Sequence, residues 1–303
     1  MSRHQTGVTR PFSIKVLITG ASGQVGSALV RSAPPQGKLR ALNRQDLDIG
    51  DAAAVRAAVA EFQPQLIINA AAYTAVDKAE AEPELAEAIN AQGPRHLAEA
   101  AGTLPGCRLL HISTDYVFNG RASEPYQPSD PTDPLSVYGR TKLAGEQAVL
   151  RVLAERAVVL RTAWVYAAQG KNFLLTMLRL MRDRGAVRVV ADQHGTPTAA
   201  VSIARALWRI AELPGVHGVL HWTDAGVASW YEFACAIAED ARAAGLLAQA
   251  VTVTPITTAE YPTAAHRPAN SVLDCGASIE KLGIKPPHWR ESLGTTLAQL
   301  PRG

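Results

Sequence analysis

The segment Thr19-Gly20-Ala21-Ser22-Gly23-Gln24-Val25-Gly26 constrains this chain more than any other. It joins a short β-rich run, FSIKVLITG, to QVGSALVRSA, whose apolar residues recur at helical spacing. Strand, tight turn and helix in that order aim the backbone N–H groups of a helix start at an anion. Gly20 permits the turn, Gly23 lets backbone approach a pyrophosphate, and Gly26 lets the helix pack on the strand. Gln24 and Val25 would supply the first helical N–H groups. The same triplet also suits a plain turn with close packing, so it argues only together with its flanks. Its spacing is G-x-x-G-x-x-G, not the G-x-G-x-x-G of ordinary dehydrogenases.

The alternation then repeats. KLRALN (38–43) reads as a strand, DAAAVRAAVAEF (51–62) as an Ala-rich helix, and QLIINAAA (65–72) as a strand buried on both faces. Residues 83–102 read as a helix and CRLLHIST (107–114) as another buried strand. Repeated βα units of this kind predict an α/β fold with a doubly wound parallel sheet. The Pro- and Asp-rich stretch 116–136 cannot be regular, and long irregular loops in compact domains usually carry function. A helix is expected over 137–156, a strand over 157–166 and a helix over 172–184. Beyond these, short strands (VRVVA, GVLHWT, AVTVTPI) mix with helices near 200–212 and 229–243.

Composition narrows the function classes. Hydrophobic residues are 47% of the 303 and charged residues 19%, so a large core is available. No apolar run approaches the roughly 18 residues of a membrane span. The net charge of +3 is scattered, which predicts neither nucleic acid nor membrane as a partner. Cys107, Cys235 and Cys275 lie far apart without CxxC spacing, which argues against disulfides and structural zinc and suits the cytoplasm. His111, His194 and His221 are expected to be hydrogen-bonded structural residues, not metal ligands. The first eleven residues lack an apolar core and do not read as a secretory signal.

Two places carry candidate chemistry. After the second strand, Leu42-Asn43-Arg44 offers no carboxylate for a ribose 2′-OH, so Arg44 is expected to accept a 2′-phosphate and the cofactor to be NADPH, with NADH a second possibility. Arg44 could equally be a solvated loop charge. Tyr138 and Lys142 in VYGRTKLAGE lie four apart on one helical face, where an ammonium beneath a phenol lowers its pKa and makes it usable in acid–base chemistry. Alone, such a pair is equally a surface contact. Its placement after Ser113-Thr114-Asp115, at the carboxyl edge of a strand where ligands bind, favours the chemical reading.

The Gly motif, the NAAA and ISTD strand ends and Tyr-x-x-x-Lys together resemble the extended short-chain dehydrogenases/reductases. AAYTAVDKAE (71–80), STDYVFNG (113–120), YGRTKLAGE (138–146), LRTAWVY (160–166), ADQHGTPT (191–198), SWYEFA (229–234) and RPANS (267–271) narrow this to the dTDP-4-dehydrorhamnose reductase family, in register from Ile14. The resemblance implies hydride transfer from NADPH to the C4 carbonyl of dTDP-4-dehydro-L-rhamnose. It makes Tyr138 the proton donor, Lys142 the holder of the nicotinamide ribose and Thr114 a donor to the carbonyl oxygen. Asp48 and Ile49 would flank the adenine, and Ala70, Ala71 and Ala72 would line the cofactor channel. Thr74, Val76, Asp115, Tyr116, Trp164 and Gln193 would face the sugar nucleotide, with Asn172 and Arg267 contacting its diphosphate. Taken singly, Trp164 and Trp230 could be core aromatics, Asp77, Lys78 and Glu80 a solvated helix face, and Arg267 a surface charge.

The expected organisation is a tail over 1–11, a Rossmann-like NADPH-binding domain over 12–163 plus about 196–216, and a smaller, discontinuous α/β substrate domain over about 164–195 plus 217–303. A dehydratase would need an Asp-Glu after the strand-end Thr, and Tyr116 follows Asp115 here. A 4-epimerase and a non-catalytic NADP-binding regulatory subunit are the other readings. Some family members dimerise through a metal held by acidic residues. The corresponding positions are Ala28 and Val201, so no magnesium requirement is expected, and the chain is expected to act as a monomer or weak homodimer.

Overall fold

The apolar runs become six parallel strands of one sheet in a computed structural model that describes residues 14–35 and 37–301. The expected tail lies outside the described residues. The strands are β1 (Lys15–Thr19), β2 (Lys38–Leu42), β3 (Leu66–Asn69), β4 (Arg108–Thr114), β5 (Ala157–Thr162) and β6 (Gly218–His221). Their order is β6-β5-β4-β3-β1-β2, every neighbouring pair parallel. Chain direction across the sheet reverses between β1 and β3, the kind of switch point where α/β folds open a ligand crevice.

Helices cover both faces. Gln24–Arg31 and Ala200–Ala211 bury Val16, Ile18, Leu29, Ile203, Leu207 and Trp222 on one side. Ala52–Phe62, the helical stretch 83–102 and Val137–Leu153 bury Leu17, Ile67, Leu97, Leu109 and Val149 on the other. The stretch 83–102 contains one π turn, Ala88–Gln92. Pro94 has no N–H to return to the Asn90 carbonyl, and the helix widens there instead of breaking. A second core gathers Tyr166, Leu174, Met181, Phe233, Ile237 and Leu293 from helices Phe173–Arg184, Trp230–Ala243 and Trp289–Leu297. Strands Ala186–Val190 and Thr252–Ile256 pair in parallel beside it. Among the described residues no helix is long and apolar enough to cross a membrane.

Three stretches differ from the sequence expectation. GVLHWT, expected in the smaller unit, supplies β6, because Leu220 fills the first core and the strand pairs along β5. Helix Gly276–Leu282 likewise packs Ile279 and Leu282 against that core. The run expected as one strand over 157–166 stops at Thr162: Trp164 has φ of +47°, and Val165–Tyr166 pairs with Thr198–Ala199 instead.

A buried ion pair ties helix Val137–Leu153 to the sheet. Arg161 of β5 makes three bonds to Glu146, at 2.8, 3.0 and 3.2 Å. The same guanidinium reaches the Pro128 carbonyl and lies 5.1 Å over the Phe118 ring, which fastens the irregular loop to the sheet. Removing one partner strands the other charge in the interior. Arg161→Ala is expected to cost about 3–5 kcal/mol in urea unfolding, and the double change Glu146→Met with Arg161→Met much less. A single-variant cost below about 1 kcal/mol would place this pair with exposed ones.

Candidate active site

The glycine turn sits where β1, β3 and the first helix meet. Gly20 has φ of +69°, and a Cβ there would lie 2.5 Å from the Ala71 nitrogen. A Cβ on Gly26 would lie 2.1 Å from the Gly20 carbonyl oxygen, so helix and turn touch through backbone. Gly23 precedes the helix with no side chain to cap it, which leaves the N–H groups at the helix start, including those of Gln24 and Val25, free of a capping side chain. Ala70, Ala71 and Ala72 follow β3 half-buried beside this turn. Beneath it the Thr19 hydroxyl donates to Asn69 Oδ1 at 2.7 Å, and Asn69 Nδ2 meets His111 Nδ1 at 2.9 Å. That buried row ties the ends of β1 and β3 to the middle of β4. His221 is likewise bonded, to the Tyr126 carbonyl.

Arg44 is exposed just beyond β2, in a turn held by the Asn43 and Asp46 side chains. Asp48 is exposed, its carboxylate accepting the Gly50 N–H. The Ile49 side chain is buried in the core, and its carbonyl meets His96.

The helix carrying Tyr138 and Lys142 begins hard against the turn that follows β4. Ser136 caps it by accepting the Gly139 N–H, and the Glu80 carboxylate accepts the Val137 N–H at 2.8 Å. A Cβ on Gly139 would lie 2.3 Å from the Tyr116 carbonyl oxygen, and one on Gly145 2.1 Å from the Asn90 carbonyl oxygen. Lys142 is buried and donates from Nζ to the Ile112 carbonyl at 2.6 Å. Burial pulls its pKa down to about 8, opposed by the Glu146 carboxylate one turn on. The Tyr138 phenol is pushed up to about 12 by burial, with the Thr114 hydroxyl pulling the other way.

This corrects one expectation: Lys142 does not lower the phenol here, because desolvation outweighs it and the ammonium is engaged with a carbonyl. The phenol is therefore fully protonated at neutral pH, the form a proton donor needs. Beside it the Thr114 hydroxyl donates to Asp115 Oδ1 at 2.9 Å and accepts the Tyr116 N–H. Tyr116 meets the Tyr138 ring edge to face, centroids 5.5 Å apart. Buried Asp115 is pushed up to about 6 by desolvation.

The remaining candidates divide. Thr74 is exposed and Val76 half-buried at the start of helix Val76–Ala79. Trp164 stacks on Trp230, centroids 3.5 Å apart. Buried Gln193 donates to Thr258 Oγ1. Arg267 forms a double bond pair with Asp77, at 2.7 and 3.0 Å, across 190 residues of chain. Gln193, Arg267, Trp230, Phe173 and Met177 line a cavity of about 710 Å³. Asn172, expected at a diphosphate, has its groups taken: Oδ1 accepts the Leu175 N–H as a helix cap, and Nδ2 donates to Gln24, Ala167 and Gln169.

Some positioning residues escaped the sequence reading. Asn90 brackets Tyr73 from both sides of its backbone and donates to Thr141. Asp77 and Glu80 hold the loop bearing Arg267 and the Tyr138 helix. Their three-residue spacing in YTAVDKAE was the available signal. Among the described residues no group of three or more His, Cys, Asp or Glu could hold a metal.

A parallel sheet with a glycine turn at its switch point, and a Tyr-x-x-x-Lys helix pressed on the next strand ends, defines the extended short-chain dehydrogenase/reductase class. Within it the chain belongs to the family of the RmlD substrate binding domain, whose model matches residues 14–302. A dTDP-4-dehydrorhamnose reductase of Aggregatibacter actinomycetemcomitans is 43% identical over 92% of this chain and 97% of its own. A probable dTDP-4,6-dihydroxy-2-methyloxan-3-one 4-ketoreductase of Streptomyces antibioticus is 47% identical over 85% of each. The crystal structure of dTDP-4-dehydrorhamnose reductase from Bacillus anthracis, in complex with NADP, superposes with a TM-score of 0.89 at 36% identity, covering 95% of this chain and all of that one.

The Asp115 shift gives a stability test. Its folded pKa is above the unfolded value, so its contribution is present below about pH 4 and lost as pH rises through 6. Asp115→Asn, neutral throughout, is expected to match wild type at pH 4 and to exceed it by about 3 kcal/mol at pH 8 in urea unfolding. A variant less stable than wild type at pH 8 contradicts the buried-carboxylate account.

Proposed function

We propose that the protein reduces the C4 keto group of dTDP-4-dehydro-L-rhamnose with NADPH to give dTDP-L-rhamnose. The observation that carries this is the convergence of Thr114, Tyr138 and Lys142 at the end of β4, in a chain similar over nearly its whole length to reductases of that name. The Streptomyces antibioticus relative, named as another dTDP-sugar 4-ketoreductase, supports the same bond change on a neighbouring sugar.

The residues present fit a dinucleotide. Cβ atoms at Gly20 and Gly26 would collide with backbone, and the bare Gly23 leaves the helix start open to a pyrophosphate. Gly20, Gly23, Gln24, Val25 and Gly26 would hold that group, Arg44 a 2′-phosphate, Asp48 the adenine, with Ile49, its side chain buried in the core, acting only behind it, and Ala70 to Ala72 the channel wall. The bound nicotinamide supplies the hydride. Turned from Asp115 Oδ1, the single Thr114 hydroxyl proton would donate to the carbonyl oxygen, and protonated Tyr138 gives up its Oη proton as charge develops there. Lys142 would hold the nicotinamide ribose. Thr74, Val76, Asp115, Tyr116, Trp164, Gln193 and Arg267 form the sugar-nucleotide side, with the cavity beside Gln193 and Arg267 taking the nucleotide. In this arrangement β1 to β6 form the cofactor domain and the second core the substrate domain. Asn172 caps its own helix through Oδ1 and donates from Nδ2 to Gln24 Oε1. The three free cysteines suit a cytoplasmic protein, which we assign as a monomer or weak homodimer without a magnesium requirement.

The test follows NADPH absorbance with the keto sugar generated in situ. Wild type should consume NADPH, unaffected by chelator, and Tyr138→Phe should lose about 10²–10⁴-fold in kcat with NADPH binding retained. Wild type that binds NADPH without oxidising it would instead fit a regulatory subunit. A charged Lys142 is needed at the ribose, so NADPH affinity should fall as pH rises through about 8. Affinity flat to pH 9.5 would remove Lys142 from that role.

A further inference from the structure

Trp164 is held in a way its own backbone does not favour. Its φ of +47° is in the left-handed region, where a bulky side chain is strained. Two neighbours confine its indole. On one face the Trp230 ring lies parallel within 3°, centroids 3.5 Å apart, and Phe173 backs Trp230 at 4.6 Å. At its edge lies Gly195: a Cβ there would fall 2.5 Å from Trp164 Cε2 and 2.6 Å from Nε1. Gly195 has an ordinary φ, so the absent side chain answers a need for room and not for an unusual backbone. Trp230 is itself fixed at the first position of a helix by a capping box between Ser229 and Glu232.

This assembly adjoins the catalytic edge. Thr162 pairs with Thr114 in register, two residues before Trp164. The space at Gly195 is shared with Ser271 Oγ, and Ser271 lies near enough to buried Asp115 to offset part of the rise in its carboxyl pKa. Trp230 also lines the 710 Å³ cavity. The stack therefore links Trp164, close in chain to the reacting end of the site, with Trp230 on the cavity wall.

We propose that Trp230 and Gly195 are positioning residues that set the plane of the Trp164 indole, and that this plane governs how tightly the sugar end of the substrate is held. The proposal rests on the reading above that Trp164 faces the sugar. It places no new group on the reacting atoms, so it acts on substrate affinity and not on hydride or proton transfer.

Trp230→Ala removes the stack and Gly195→Ala pushes on the opposite edge. Both are expected to raise KM for the keto sugar nucleotide roughly three- to tenfold, leaving kcat and NADPH affinity unchanged. Trp230→Phe, which keeps an aromatic face, should restore most of the loss. A fall in kcat with unchanged KM, or a Phe variant as impaired as the Ala variant, would overturn the proposal. Should Trp230→Ala fail to fold, Gly195→Ala and Trp230→Phe decide it alone. The stack also has a readout that needs no turnover. The circular-dichroism band of the tryptophan pair should be lost equally in Trp164→Phe and Trp230→Phe, with no further loss in the double variant. Additive losses would show that the two rings are not coupled in solution. If that band behaves as expected but wild type does not turn over the sugar, the functional reading has failed and not the geometry.

Discussion

The ion pair between Glu146 and Arg161 is the interaction on which the site depends. Its worth is geometric more than energetic: a buried pair offsets its own desolvation and little beyond it, but it tolerates few alternative arrangements. Arg161 sits on β5 opposite Ser113 of β4, and Glu146 sits one turn below Lys142. Closing this pair therefore fixes both the height and the rotation of the Tyr138 helix relative to the strand that carries Thr114. The same guanidinium holds the irregular loop through Pro128 and Phe118, and Phe118 stacks on Tyr126 with centroids 4.2 Å apart. Helix, strand edge and loop are thus positioned by one residue.

Close approach follows from what the helix lacks. Gly139 and Gly145 let it lie against the Tyr116 and Asn90 carbonyls, distances no Cβ would allow. The Asn90 carbonyl is available because the π turn before Pro94 leaves it outside the regular ladder. Such contact excludes water from Tyr138 and Lys142, and that exclusion sets their ionisation: the phenol rises and the ammonium falls, each toward its neutral form. The helix is therefore built for a protonated tyrosine beside a lysine kept charged with help from Glu146.

What was legible in the sequence is what local pattern encodes. Runs such as LIIN and VVLRT read as buried strands because parallel strands are apolar on both faces. The glycine turn and the Tyr-x-x-x-Lys pair follow from fixed spacing, and the family blocks place nearly all of the candidate site. Pairings across long stretches of chain were not legible. Nothing local marks GVLH as the sixth strand, since its assignment depends on β5 leaving an edge for it. Asp77 with Arg267, and Asn172 with Gln24, join residues more than a hundred positions apart. The phenol pKa was misjudged because helical spacing reports which groups share a face but not how much water reaches them.

Those same long-range pairings make one site from two cores. Arg267 brings the C-terminal RPANS segment onto Asp77 of the YTAVDKAE segment, and Asn172 ties the first helix of the second core to Gln24 on the glycine turn. In the proposed assignment one contact lies on the sugar-nucleotide side and the other on the cofactor side, so each end of the proposed cleft has its own clasp. The Asp77 contact is only partly screened from solvent and contributes modestly to stability. Its effect is to hold the C-terminal segment in register. That register carries Ser271 Oγ to the His194 carbonyl and the neighbouring Asn270 to the Ala122 carbonyl. A chain folded with the right sheet but without these clasps would keep Tyr138, Lys142 and Thr114 together, because Glu146 and Arg161 hold them. It would lose the wall to which the proposal assigns the substrate. The proposed catalytic and substrate-facing residues therefore depend on separate sets of contacts, and only the first set is written in local sequence pattern.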